Sequence, residues 1–78
     1  MEEKIIKIIE EICEIENIKE NMDIDLIEED LLDSLGFISL VAALEDEFNI
    51  EIQPTEVPSD TWRSIDKIIE LVKKLKNM

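Results

Sequence analysis

The size and charge of the chain exclude several classes of protein. It has 78 residues and a formal net charge of −13, which is enough for one small domain over residues 1–78, and this charge repels nucleic acids and anionic membranes. It has no histidine and a single cysteine, so it lacks the commonest general acid–base residue, which argues against an enzyme, and it cannot form an internal disulfide.

The first predicted element is an amphipathic helix near the N-terminus. Apolar residues recur there at helical spacing with charged residues between them; they are Ile5, Ile8, Ile9, Ile12 and Ile15. Because isoleucine is β-branched and is not the best helix former, we expect burial of this stripe to hold the helix. Cys13 lies beside the stripe, where we expect it to be a small buried residue that fills the core.

A long loop is predicted between the first and second helices, over residues 17–33. The helical spacing is lost there, but apolar residues interspersed with acids indicate that the loop is pinned to the core. Asp23 and Asp25 are spaced like calcium ligands, yet an EF-hand loop would need an oxygen ligand at Ile27 and a glycine at Glu28. We therefore predict no metal site in this loop.

The second predicted helix runs from about Ser34 to Phe48. Asp33 and Ser34 are both favourable N-cap residues, and the apolar stripe that should face the core comprises Phe37, Leu40, Val41, Leu44 and Phe48. A second apolar stripe lies on the neighbouring face, at Leu35, Ile38 and Ala42. In a small bundle, such a stripe either widens the core contact or stays exposed for a partner.

The rest of the chain predicts a connecting segment and a last helix. The segment contains Pro54 and Pro58 and is expected to form one short helical turn. Ser64 is the expected N-cap of the last helix, whose apolar stripe is Ile65, Ile68, Ile69, Val72 and Leu75. Together these elements predict an all-α fold, a small four-helix bundle of three main helices and one short helix.

Ser34 is the candidate functional residue. A hydroxyl at the start of a helix is exposed, and the free N–H groups there favour an attached negative group such as a phosphodiester. From these local features alone, an ordinary capping serine is the simpler explanation.

The segment from Asp30 to Gly36, followed by the segment from Leu40 to Ile52, resembles the acyl carrier protein family. The hallmark of that family is Asp-Ser-Leu at the start of the second helix, followed by an apolar and acidic helix that ends in Glu-x-x-Phe. The resemblance covers nearly the whole chain. It implies a non-catalytic carrier with a 4′-phosphopantetheine arm on Ser34, which a phosphopantetheinyl transferase attaches from coenzyme A, and whose thiol holds acyl or aminoacyl groups as thioesters.

The resemblance also implies how such a carrier meets its partners. They are the phosphopantetheinyl transferase, an acyl- or aminoacyl-loading ligase and a downstream transferase, with basic patches that suit the acidic surface. The residues that match the docking positions of the family are Asp33, Leu35, Ile38, Ala42, Glu45 and Asp46. We expect a monomer without a metal, located in the cytoplasm because the N-terminus is charged and no run approaches the ~20 apolar residues of a membrane span.

Within the family, the residues around Ser34 resemble the D-alanyl carriers of teichoic-acid modification, and peptidyl carriers and stand-alone carriers of secondary-metabolite clusters share parts of this pattern. Asp-Ser-Leu-Gly at residues 33–36 is similar to their Asp-Ser-Phe-Gly, and Trp62 lies ahead of the last helix as a tryptophan does in those carriers. D-Alanine or another amino acid is therefore the candidate cargo, and Gly36 and Ser39 depart from the acids usual in fatty-acid carriers. Trp62 itself is expected to be a packing anchor. The alternative function is an acidic helical adaptor that binds a basic partner through the second helix without a prosthetic group.

Overall fold

The described part of the chain is helical, which confirms the predicted all-α fold class. The computed structural model describes residues 1–77 and contains three α-helices and no β-strand within them: α1 (Glu2–Cys13), α2 (Ser34–Phe48) and α3 (Ile65–Lys76). Three 3₁₀ turns lie in the connections, at Ile18–Glu20, Pro54–Glu56 and Ser59–Arg63. The connection before α3 thus holds two short turns where one was predicted. None of the helices over residues 1–77 is long and apolar enough to cross a bilayer.

One hydrophobic core joins the three helices and the loops between them. Its fully buried side chains come from every α-helix and from the long loop: Ile5, Ile9, Ile18, Leu26, Leu40, Leu44, Ile65, Ile68 and Val72. The predicted stripes of α2 and α3 are confirmed, except that Phe37 and Leu75 at their edges are half-buried. A core that draws on all elements is what holds such short helices in water.

The buried face of α1 differs from the predicted stripe. Ile6 and Cys13 are buried with Ile5 and Ile9, whereas Ile8, Ile12 and Ile15 are only half-buried. The isoleucines of α1 span a wider arc of the helix than the core fully buries, so their spacing alone did not fix which edge of the arc is buried. The helix also ends at Cys13, because the next residue, Glu14, has a left-handed backbone with φ of 57°.

Cys13 is a buried core residue, as predicted. Burial, and to a lesser extent the negative charge of Asp33, raises the pKa of its thiol. The thiol therefore stays protonated near neutral pH and reacts slowly with electrophiles, since the thiolate is the nucleophile.

The ends of the helices are closed by polar contacts. Ser64 is the N-cap of α3, as predicted, and its Oγ accepts a hydrogen bond from the Lys67 N–H at 3.4 Å. Asn49 ends α2 with a left-handed φ of 53°. The Lys76 ammonium donates to the Phe48 carbonyl oxygen at 3.0 Å, so a basic residue of α3 satisfies a free carbonyl at the end of α2.

The long loop between α1 and α2 is pinned to the core, as predicted. Leu26 and Leu32 are buried, whereas Ile27 is exposed. The Leu26 N–H donates to the Arg63 carbonyl oxygen at 3.0 Å, and the Leu26 carbonyl oxygen accepts from the N–H groups of Leu31 and Leu32 at 2.9 and 3.0 Å. These bonds fix the chain immediately before α2.

Asp25 also links this loop through polar contacts to Arg63, the residue before the N-cap of α3. Its Oδ1 accepts from the N–H groups of Ile27 and Glu28 at 3.0 and 2.9 Å, and the Arg63 Nε lies 3.0 Å from its Oδ2. The hydrogen bond from Glu28, with further ones from Arg63 and Ile27, lowers the pKa of Asp25. The carboxylate thus helps to hold the loop closed. Within residues 1–77, no group of three or more acidic, cysteine or histidine side chains is placed to hold a metal ion.

Candidate functional site

Two adjacent residues have different roles at the start of α2. Asp33 is the N-cap, and its Oδ1 accepts a hydrogen bond from the Gly36 N–H at 2.7 Å. Ser34 is the first residue of the helix, is exposed, and its hydroxyl makes no hydrogen bond to any residue from 1 to 77. Of the two candidate caps in the sequence, Asp33 takes the structural role, which leaves the Ser34 hydroxyl free for chemistry.

The backbone around Ser34 suits a phosphodiester. The N–H groups of Ser34 and Leu35, in the first turn, have no acceptor among the described residues, and the positive end of the helix dipole lies at the same point. Asp33 contributes a negative charge nearby. The partial positive charge of the helix end would therefore offset part of the repulsion between the Asp33 carboxylate and an attached phosphodiester. The free hydroxyl and the free N–H groups together fit a serine that carries a phosphorylated group.

The start of α2 is packed against the end of α1 and the preceding loop. A Cβ at Gly36 would lie 3.1 Å from the Asp33 Oδ1, 3.4 Å from the Leu32 Cδ1 and 3.7 Å from the Ile12 Cγ2. Glycine at this position therefore lets the capping carboxylate approach the helix closely. The result is a Ser34 whose backbone is fixed from both sides while its side chain faces solvent.

An apolar face beside Ser34 is exposed, which settles one of the two alternatives for the second stripe of α2. Leu35 is 76% exposed and Ile38 is 62% exposed, and Ala42 is also exposed. These three residues, the exposed apolar face, do not widen the contact with the core. Large exposed apolar side chains that cluster on one helix are typical of interaction surfaces.

The three acids near the end of α2 differ in their contacts. The Glu45 Oε2 accepts a hydrogen bond from the Ile52 N–H at 2.8 Å, and Glu47 pairs with Lys4 at 3.4 Å. Asp46 is exposed and has no ion pair with a basic residue in the described range. The family resemblance gave Glu45 and Asp46 the same docking role. In the structure, however, Glu45 and Glu47 contact other elements, whereas Asp46 forms no ion pair among residues 1–77.

A shallow apolar groove lies along α2, next to the exposed apolar face. It has a volume of about 240 Å³ and is lined by Phe37, Ile38, Val41, Ala42, Glu45 and Pro54. Trp62 supports it from below: it is buried, as predicted for a packing anchor, and its ring meets that of Phe37 edge-on with centroids 5.1 Å apart. The sequence did not reveal this groove, because one wall is formed by Pro54, from a different segment.

Comparison with known proteins points to one family. Residues 3–72 match the family described as "Phosphopantetheine attachment site". A D-alanyl carrier protein of Abiotrophia defectiva is 42% identical over 77 residues, covering 95% of this chain and 94% of that protein. D-alanyl carrier proteins of Bacillus licheniformis and Bacillus subtilis are 36% and 35% identical over 74 residues, each covering 95% of both chains.

Proposed function

Since the chain belongs to the phosphopantetheine attachment-site family of carrier proteins, we propose that its 4′-phosphopantetheine arm is attached to Ser34. The observation that carries this proposal is the division of roles at the start of α2: Asp33 caps the helix, and the Ser34 hydroxyl is exposed and free. When bound, the arm supplies a thiol that holds cargo as a thioester. The chain itself anchors the arm, and partner enzymes perform the chemistry.

The proposed cargo is an amino acid, with D-alanine as the first candidate. The support is that the relatives named above are D-alanyl carrier proteins and align over almost their whole length. In this proposal a ligase loads the amino acid onto the thiol, and a downstream transferase receives it. We also propose that loading takes place in the cytoplasm.

The proposed docking surface is the exposed apolar face together with the acids around it. Leu35 and Ile38 would contact the partner directly, because they are the most exposed large apolar side chains of α2. Ala42 extends the same face, and Asp33, Glu45 and Asp46 would present negative charge to a basic partner. A partner that docks there would lie beside Ser34.

The attachment site can be tested by intact mass. The protein is incubated with coenzyme A, magnesium and a broad-specificity phosphopantetheinyl transferase; the Ser34 oxygen bonds to phosphorus, and adenosine bisphosphate leaves with the other half of the broken pyrophosphate. We expect one phosphopantetheine addition to the wild type and to Ser39→Ala, which removes another exposed serine of α2, and none to Ser34→Ala. Thiol titration of the native protein should report the new arm thiol, because Cys13 is buried and its pKa is raised.

The outcome also separates the carrier from the adaptor. If the folded wild type gains no mass, or if Ser34→Ala still does, the attachment of the arm at Ser34 is wrong. Absence of any addition to the folded wild type would favour the acidic adaptor, which needs the helix surface but no prosthetic group.

The docking surface needs its own test with a matched control. Leu35→Ala and Ile38→Ala should raise the KM of the phosphopantetheinyl transferase for the carrier by about fivefold or more, as expected for loss of more than ~1 kcal/mol at a central apolar contact. Ile27→Ala removes another exposed large apolar side chain, in the loop before α2 and not on the helix itself, and should leave the KM unchanged. Equal effects of all three substitutions would contradict the proposed surface.

A further inference from the structure

The groove along α2 lies on the same side of the helix as Ser34. Residues 34, 38, 41 and 45 follow at spacings of four, three and four residues, which place them on one face of an α-helix. Ile38, Val41 and Glu45 line the groove, so it begins one turn after Ser34 and ends at Glu45. A group attached to Ser34 therefore has an apolar path along α2 that leads to a carboxylate.

Glu45 is held in place at the end of this path. Its Oε2 accepts the Ile52 N–H at 2.8 Å, and its other carboxylate oxygen, Oε1, has no hydrogen bond to residues 1–77. The side chain is half-buried, so a cation that reached Oε1 would be less screened by water than at an open surface. The groove thus combines apolar walls with one fixed negative end.

We propose that this groove receives the chain's own phosphopantetheine arm when the arm carries an amino acid, and that Glu45 pairs with the free ammonium group of that amino acid. This inference rests on the proposed attachment at Ser34. It assigns Glu45 as a residue that distinguishes aminoacyl cargo from neutral acyl cargo. A simple fatty acyl group has no cation to offer and would leave Glu45 unpaired.

The lengths of the helix and of the arm agree with this placement. Ser34 and Glu45 are eleven residues apart, which is about 16 Å along a helix axis. From its phosphorus to its sulfur, the extended arm has about as many consecutive covalent bonds as the backbone of five extended residues. It therefore spans roughly 17 Å. Its methylene and dimethyl groups would lie along Ile38, Val41 and Pro54, and its end would reach the level of Glu45.

The experiment compares two stable cargoes that differ by one amino group. A coenzyme A analogue with an amine in place of the thiol is joined through an amide to alanine or to propionic acid. A phosphopantetheinyl transferase then attaches the phosphopantetheine part of each analogue to ¹⁵N-labelled protein, and adenosine bisphosphate leaves. We expect larger shifts of the amide signals of Phe37, Ile38, Val41 and Ala42 with the alanyl arm than with the propionyl arm. An ion pair at a partly exposed site favours the seated arm by about one and a half- to fivefold.

Two variants test the role of Glu45. Glu45→Gln keeps an oxygen for the Ile52 N–H but removes the charge, and it should make the alanyl and propionyl shifts equal. Glu56→Gln removes an exposed acid outside the groove and should preserve the difference.

Each result bears on a different claim. Equal shifts for both cargoes in the wild type, absence of shifts along the groove, or survival of the difference in Glu45→Gln would overturn the pairing, even though the attached mass supports Ser34 as the site. Failure of both analogues to attach to the folded protein would overturn the proposed function as well. If a partner side chain occupies the groove instead of the arm, the groove signals will shift when the partner enzyme is added and not when the arm is loaded. That result would also overturn the proposal.

Discussion

Asp33 and Ser34 allow folding and function to be separated at neighbouring positions. Asp33→Ala removes the carboxylate that accepts the Gly36 N–H at 2.7 Å, and replacing an N-cap aspartate by alanine lowers stability by about 0.5–2 kcal/mol. We expect the upper half of that range, because the bond is short and charge-assisted and the carboxylate also interacts with the helix dipole. A chain of this length has a total stability of roughly 4–12 kcal/mol, so the loss is easily measured.

Ser34→Ala should behave in the opposite way. The serine hydroxyl has no hydrogen bond to residues 1–77, alanine is a good helix former, and the cap at Asp33 remains. The free energy of unfolding should therefore change by less than about 0.5 kcal/mol. The same substitution should abolish attachment of the arm. Urea unfolding followed by far-ultraviolet circular dichroism measures the first quantity, and intact mass measures the second.

A third variant makes the reasoning refutable. Asp33→Ser restores a good capping side chain, and it should recover most of the stability lost in Asp33→Ala. If Ser34→Ala is as unstable as Asp33→Ala, Ser34 contributes to the cap and the division of roles is wrong. If Asp33→Ala loses no stability, the Asp33 carboxylate does not stabilise the helix in the way that its geometry indicates.

Two further predictions concern the loop before α2. Leu26→Ala should lower the free energy of unfolding by about 2–5 kcal/mol because Leu26 is fully buried, whereas Ile27→Ala at the exposed neighbour should change it by less than about 0.5 kcal/mol; similar urea midpoints for the two variants would contradict the pinned loop. The bond from Glu28, with those from Arg63 and Ile27, lowers the pKa of Asp25, so its contribution is complete above the ordinary aspartate pKa of about 3.9 and is lost as the pH falls through the lower folded pKa. Asp25→Asn should therefore make the free energy of unfolding fall less steeply as the pH is lowered below about 4. If it falls as steeply as in the wild type, the contacts of Asp25 do not contribute to stability.

The sequence predicted best those parts of the fold in which acids or bases interrupt the apolar residues. In α3 the charged residues leave one stripe, and Ile65, Ile68, Ile69 and Val72 of that stripe are buried. In α1 five isoleucines span an arc of about 160° around the helix axis, so either edge of the arc could have faced the core. Periodicity identifies a helix more securely than it identifies the buried edge.

The candidate site was predictable where it depends on neighbours in sequence. Spacing located the second apolar stripe of α2 but not its exposure, and Ser34 became the candidate through the family resemblance. The choice between two capping residues required the backbone conformation of Asp33. The contacts that were missed join distant positions: Glu45 with Ile52, Asp25 with Arg63, which are 38 residues apart, and Pro54 with α2. No local pattern encodes which of many acids will meet a given N–H group, since that depends on how the elements pack.

The charge distribution explains how this chain can keep apolar side chains exposed beside Ser34. Residues 34–44 contain no charged side chain, although 37% of the whole chain is charged. An uncharged apolar face on its own would favour self-association. A net charge of −13 makes two copies repel each other over distances of about 10 Å at moderate salt, while a basic partner is attracted by the same field. In the proposed docking, the acidic surface would therefore select which molecules approach, and the exposed apolar face would provide the contact.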